Sequence, residues 1–113
     1  MSSQERDRVL LQETLDLIEL TIKNVPKNKT AFLADINARD ATALRLQAIG
    51  EYMRSLSNAF RDDHPELPWR QSIAMRNVIA HEYGRLDYEI VWQVVVSKKF
   101  STFHDHILKI IET

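Results

Sequence analysis

The chain has 113 residues, enough for one core of its own and too few for a second, and its 44% apolar content is that of an ordinary globular protein. It has no cysteine, which excludes disulfides, thiolate–metal sites and thiol nucleophiles, and only two glycines, which leaves no room for a phosphate-cradling or dinucleotide-binding glycine-rich loop. Fifteen basic against sixteen acidic residues give a net charge of −1, so any contact with a polyanion has to be local rather than a bulk property of the surface.

In chain order, Ser2-x-x-Glu5 reads as a capping box, and Leu11, Leu15, Ile18, Ile22 and Val25 recur at helical spacing behind it. Pro26 and the polar Lys27-Asn28-Lys29 end this first helix. A loop or short helical turn follows over residues 30–36. Asn37 is the expected cap of a long second helix that has Asp40 in its first turn and repeats Leu46, Ile49, Met53, Leu56 and Phe60 inward.

Two prolines and three acids between Asp62 and Pro68 break the pattern, with Pro68 suited to the first position of a third helix starting near Trp69. That helix carries Ile73, Val78 and Ile79, and Gly84 is expected to close it in the left-handed conformation. Asp87 caps a short helix with Ile90, Val91, Val94 and Val95. Ser97 caps a last one with Phe100, Phe103, Ile107, Ile110 and Ile111 on one face. The Val94–Val96 run alone would suit a strand, but nothing nearby could pair with it. The expectation is an all-α, up-down bundle of four to five helices forming a single domain over residues 1–113. No apolar run is long enough to span a bilayer, and the N-terminus lacks the apolar segment of a signal peptide, so a cytoplasmic location is expected.

The densest chemistry lies in Arg76-Asn77-Val78-Ile79-Ala80-His81-Glu82-Tyr83. At 100° per residue His81 falls about 40° from Asn77, and Tyr83 about 20° from Arg76, which makes two polar stripes on one helix. A permanently charged guanidinium suits phosphate, and imidazole exchanges protons near neutral pH. Together they suffice for metal-free cleavage of RNA, whose 2′-hydroxyl supplies an internal nucleophile that DNA lacks. The bland alternative is a surface arginine and a histidine at a helix C-terminus.

The stretch Arg76-x-x-x-x-His81-x-Tyr83 resembles the motif of the HEPN superfamily, specifically its HepT branch, the RNase toxins paired with MntA-type nucleotidyltransferase antitoxins. Ala48-Ile49-Gly50-Glu51, Leu67-Pro68-Trp69-Arg70, Met75-Arg76-Asn77 and Val91-Trp92 resemble further elements of that family in the expected order. Tyr52-Met53 and the turn Gly84-Arg85-Leu86-Asp87 depart from it. The resemblance implies an endoribonuclease toxin of a type VII toxin–antitoxin system, with Arg76 and His81 catalytic and Asn77 supporting them. It further implies that Tyr83 is the residue to which the antitoxin transfers AMP, and that two chains form a homodimer with their motifs facing across a cleft. The implied partners are an RNA substrate and the MntA-like antitoxin, with no membrane and no cofactor. Glu51, beside Gly50, is a candidate to position His81 or Arg76 across the dimer interface. A non-catalytic nucleotide-binding or scaffold module for a nucleotidyltransferase is the alternative.

Other candidates carry less. His104-Asp105-His106 looks like a metal box, but helical residues two apart point about 200° from each other, so no metal site is expected there. His64 reads as a loop residue and Asp62-Asp63 with Glu66 as an exposed acidic loop. Trp69 and Trp92 fall near apolar helix positions and are expected to pack beside the motif helix rather than stack on bases.

Overall fold

The computed structural model describes residues 1–113 and is built from helices alone. They are α1 (Ser3–Asn24), α2 (Lys29–Ala34), α3 (Ile36–Ser55), α4 (Asn58–Asp63), α5 (Trp69–Glu82), α6 (Tyr88–Val96) and α7 (Lys98–Glu112), with a 3-10 turn at Tyr83–Arg85. Five long helices make the body, as expected. Two six-residue helices, α2 and α4, occupy the connections. No helix is long and apolar enough to cross a membrane.

Local chemistry sets most of the boundaries. The capping box at the start of α1 is complete, Glu5 N–H donating to Ser2 Oγ and Ser2 N–H to Glu5 Oε1. Asn28, Ser57, Asp87 and Ser97 cap α2, α4, α6 and α7 in the same manner, each accepting a backbone N–H of the first turn. Several expectations are corrected. Asp35, not Asn37, caps α3, because its carboxylate takes the Ala38 N–H at 3.0 Å, and this puts Asp40 two residues further in, beyond the first turn. The second long helix stops at Ser55 instead of running on to Phe60. Ser57 starts α4 there, and its own N–H and hydroxyl are both taken by the buried carboxylate of Asp7 on α1, at 2.9 and 2.6 Å. Finally, Gly84 is not left-handed. No residue has positive φ, and α5 tightens into the 3-10 turn instead, a common way to end a helix. Pro68 sits at the N-cap of α5 rather than at its first helical position.

One apolar cluster runs through all the layers, from Leu11, Leu15 and Ile18 on α1 through Leu46, Ile49 and Met53 on α3 to Phe100, Phe103 and Ile107 on α7. Fully burying each such side chain contributes about 1.5–3 kcal/mol. Thr14 and Thr21 are buried on the same face of α1 because their hydroxyls donate to the carbonyls of Leu10 and Leu17, which removes the cost of an unpaired polar group. Both tryptophans are packing residues: Trp69 Nε1 donates to the His64 carbonyl and Trp92 Nε1 to that of Pro26, each at 2.9 Å. Val78 is the misplaced member of the predicted core, since it stands 44% exposed on the outer side of α5.

The tightest approach in the fold is between α3 and α5, which pack antiparallel. A Cβ placed on Gly50 of α3 would lie 2.4 Å from Arg76 Cβ and 2.5 Å from the Ser72 carbonyl oxygen of α5. Neither is the free end of a flexible side chain. On the opposite side of the bundle, His104 of α7 donates from Nε2 to Glu19 of α1 at 2.9 Å and from Nδ1 to its neighbour Asp105 at 3.0 Å. The hydrogen bond to Glu19, followed by that to Asp105, outweighs partial desolvation and raises the imidazole pKa above its ordinary value.

Two consequences are measurable. Gly50→Ala should lower unfolding stability by about 2 kcal/mol in denaturant titration, because overpacking of about 1–3 kcal/mol or more outweighs the helix-propensity gain of about 1 kcal/mol. For His104, the raised pKa means a contribution that is complete below the unfolded value and disappears as pH rises through the folded one. Stability should therefore decline from acidic to alkaline pH across that range, and His104→Gln should flatten this part of the profile.

Candidate active site

The Gly50 crossing places the residue after it, Glu51, beside Arg76. Arg76 Nε donates to Glu51 Oε2 at 2.9 Å, and the other carboxylate oxygen, Oε1, accepts from Arg54 Nη2 one turn along α3 at 3.0 Å. Glu51 is thus gripped from both sides. The Arg54 hydrogen bond above all, aided by the charges of Arg54 and Arg76, holds its carboxyl below the usual carboxylate range despite some desolvation. Arg76 also donates from Nη1 to Asn77 Oδ1 at 2.9 Å. Its side chain is only 21% exposed, and of its five N–H groups three remain for an incoming anion.

Tyr83 makes a second link between the same helices. Its hydroxyl donates to Asp40 Oδ1 at 2.7 Å, 43 residues away in sequence, and the ring is half exposed. This hydrogen bond, with smaller contributions from desolvation and from Tyr88, pushes the phenol up to about 12, so it stays protonated through the neutral range. Asp40 and Glu51 are eleven residues apart, hence only about 20° apart around α3, which is why one face of α3 meets both Arg76 of α5 and Tyr83 in the turn that follows it.

The sequence-derived candidates therefore divide. Arg76, Asn77 and Glu51 form one hydrogen-bonded group, and Tyr83 joins its α3 partner. His81 stands apart. It is exposed, hydrogen-bonds to nothing within the chain, and lies about 7.5 Å along the helix axis and about 140° around it from Arg76. Glu51 reaches Arg76 within its own chain, where the sequence suggested a role across an interface. Two participants carried no sequence signal as such: Asp40, which marked only a helix start, and Arg54, which clamps the far side of Glu51. Both are defined by which face of α3 turns toward α5, and only Arg54, three residues from Glu51, could have been found from local spacing.

No three histidine, aspartate or glutamate side chains converge in the structure. His104 spends both ring nitrogens on Glu19 and Asp105, and His64 Nδ1 lies 3.3 Å from Glu66 Oε2. The site's chemistry is that of a fixed guanidinium, an accessible imidazole and a protonated phenol along one helix end.

Comparison with known proteins places the chain in a family. The model for the family described as "Ribonuclease HepT-like" matches residues 11–110. A Methanocaldococcus jannaschii protein that carries the name of an RNase is 34% identical over 86 residues, 76% of each chain. A Thermococcus cleftensis protein named as a ribonuclease HepT is 32% identical over 85 residues, 75% of this chain and 76% of its own. A further M. jannaschii protein, whose name joins a gamma-glutamylcyclotransferase to an RNase, is 32% identical over 107 residues, 93% of this chain and 47% of its own. No solved structure matches the chain significantly. With the match covering nearly its whole length and with a helical fold to accommodate it, the chain belongs to the HepT-like ribonuclease family.

Proposed function

We propose that this chain is a metal-independent endoribonuclease, the toxin of a two-gene toxin–antitoxin pair, acting as a homodimer in which two Arg76-x4-His81 motifs face one cleft. The observation that supports it most is the state of Arg76. Glu51 and Asn77 hold the guanidinium in one orientation with three N–H groups unspent, while His81, a turn and a half further along α5, is open to solvent and unengaged. In-line cleavage of RNA requires a fixed anion binder and a free proton carrier, and the chain offers one of each on α5.

In this reading His81 takes the 2′-hydroxyl proton or delivers one to the leaving group. The 2′-oxygen bonds to phosphorus, the bond to the 5′-oxygen breaks, and the 5′-oxygen leaves with a proton, giving a 2′,3′-cyclic phosphate and a 5′-hydroxyl. Arg76 offsets the charge that builds on the phosphoryl oxygens. The distance between Arg76 and His81 within one chain favours a site shared by two copies, in which Arg76 of one motif works with His81 of the other. Leu44, 67% exposed on the same side of α3, and Val78, beside the motif, are apolar surface consistent with such a pairing.

Tyr83 is the proposed target of inhibitory AMP transfer by a nucleotidyltransferase antitoxin. The phenol oxygen would bond to the α-phosphorus of ATP as pyrophosphate leaves, and Asp40 already stands 2.7 Å away as an acceptor for the phenol proton. The attached nucleotide would add bulk and negative charge seven residues from Arg76, on the same side of α5.

Incubation of the purified protein with RNA in EDTA should yield 2′,3′-cyclic phosphate ends, and His81→Ala should reduce the rate by about 10²–10⁴-fold while leaving the fold intact. Intact RNA together with tight nucleotide binding would instead favour the non-catalytic module. Tyr83→Phe should retain cleavage and escape inhibition by the antitoxin and ATP. In ultraviolet titration one phenol should ionise only near pH 12. Asp40→Asn should return it toward the ordinary value and slow AMP transfer; full-rate transfer in that variant would remove Asp40 from the reaction.

A further inference from the structure

Away from the Arg76 site, a groove of about 690 Å³ runs between the start of α5 and the start of α7. Arg61, Arg70, Lys98 and Lys99 line it, His106 adds a titratable ring, and Glu66 is its one carboxylate. None of the four cations is in an ion pair, whereas Glu66 is engaged with His64. Trp69, buried, forms part of the groove wall, and the Arg61 guanidinium lies 5.4 Å from its ring centre. The tryptophan face is thus taken by arginine rather than open to a base.

Two features make this more than an accidental cluster. The first is charge distribution. The whole chain carries −1, so with a groove of four cations and one carboxylate the remainder carries −4. A polyanion is repelled by most of this surface and attracted here, and within a Debye length of about 8–10 Å the local charge decides. The second is position. Arg70 occupies the first turn of α5, and Lys98 and Lys99 the first turn of α7, and neither turn contains an acid. The partial positive charge at a helix N-terminus disfavours cations there, so these three side chains work against helix stability, and folding gives no reason for them.

We propose that this groove is a second contact for the RNA backbone, which holds the substrate by its phosphates outside the cleft. The proposal rests on the ribonuclease function above. Arg70 precedes Arg76 by six residues, about 9 Å along the axis of α5 and about 120° around it, so a strand occupying both must cross the helix. The groove therefore acts on long RNA and not on a dinucleotide. Phosphate contacts of this kind position the chain without reading its bases.

The test is the triple variant Arg70→Ala/Lys98→Ala/Lys99→Ala, all three exposed, with Arg61 kept for its packing on Trp69. Its thermal unfolding should match the wild type or exceed it. With a long single-stranded transcript, KM should rise at least tenfold at nearly unchanged kcat, and cleavage of a dinucleotide should be unaffected. In the non-cleaving His81→Ala background, the slope of log Kd against log salt should shrink by about 2, near 0.7 for each lost single-strand phosphate contact. Unchanged RNA affinity and salt slope, with a wild type that binds and cuts RNA, overturn the groove and leave the ribonuclease reading standing. Retained RNA binding with lost association to the antitoxin protein also overturns it, assigning the groove to a protein partner. A wild type that neither binds nor cuts RNA removes both.

Discussion

The absence of a side chain at position 50 is the constraint on which the rest of the site depends. With backbone and Cβ atoms of α5 within 2.5 Å of where a Cβ would stand, α3 and α5 approach at a distance that only glycine permits. That approach sets Glu51 against Arg76 and, toward the other end of the antiparallel pair, Asp40 against Tyr83. A wider spacing would leave all four side chains to solvent, where exposed pairs are worth little and guanidinium orientation is lost to rotamer freedom.

The ion pairs matter here for geometry more than for stability. Arg54, Glu51, Arg76 and Asn77 form a chain of hydrogen bonds in which one carboxylate is shared by two guanidinium groups, leaving a net positive cluster with a fixed orientation. A carboxylate wholly matched to one arginine would neutralise it. One divided between two arginines orients Arg76 and leaves charge over for a ligand. His81 lacks any such support within the chain and stays open to solvent, so only the guanidinium is preorganised.

Charge at larger scale follows the same pattern of concentration. A nearly neutral chain has gathered unpaired cations into one groove at two helix starts, where local helix energetics disfavour them. The His104–Glu19 link joins the outer helices α1 and α7 and plays no part in either charged region.

Much was determined by the sequence alone. Helical spacing, the Ser2, Asp87 and Ser97 caps and the prolines place the five long helices, because capping and amphipathic burial are local properties of a few neighbouring residues. The motif from Arg76 to Tyr83 is likewise local, eight residues running from α5 into the turn that ends it, and the family could be named from it and its flanking elements. Some errors were local, as at the Asp35 cap and the Gly84 turn, and one came from a distant residue: Asp7, fifty positions away, takes Ser57 and divides what the pattern read as one helix. Only the tertiary structure decided that Glu51 and Arg54 hold Arg76, that Asp40 holds Tyr83, and that Arg61 and Arg70 share a groove with Lys98 and Lys99. Those partners are separated by up to 43 residues, and what brings them together is how closely and at what register helices cross, which for α3 and α5 is set by packing against Gly50.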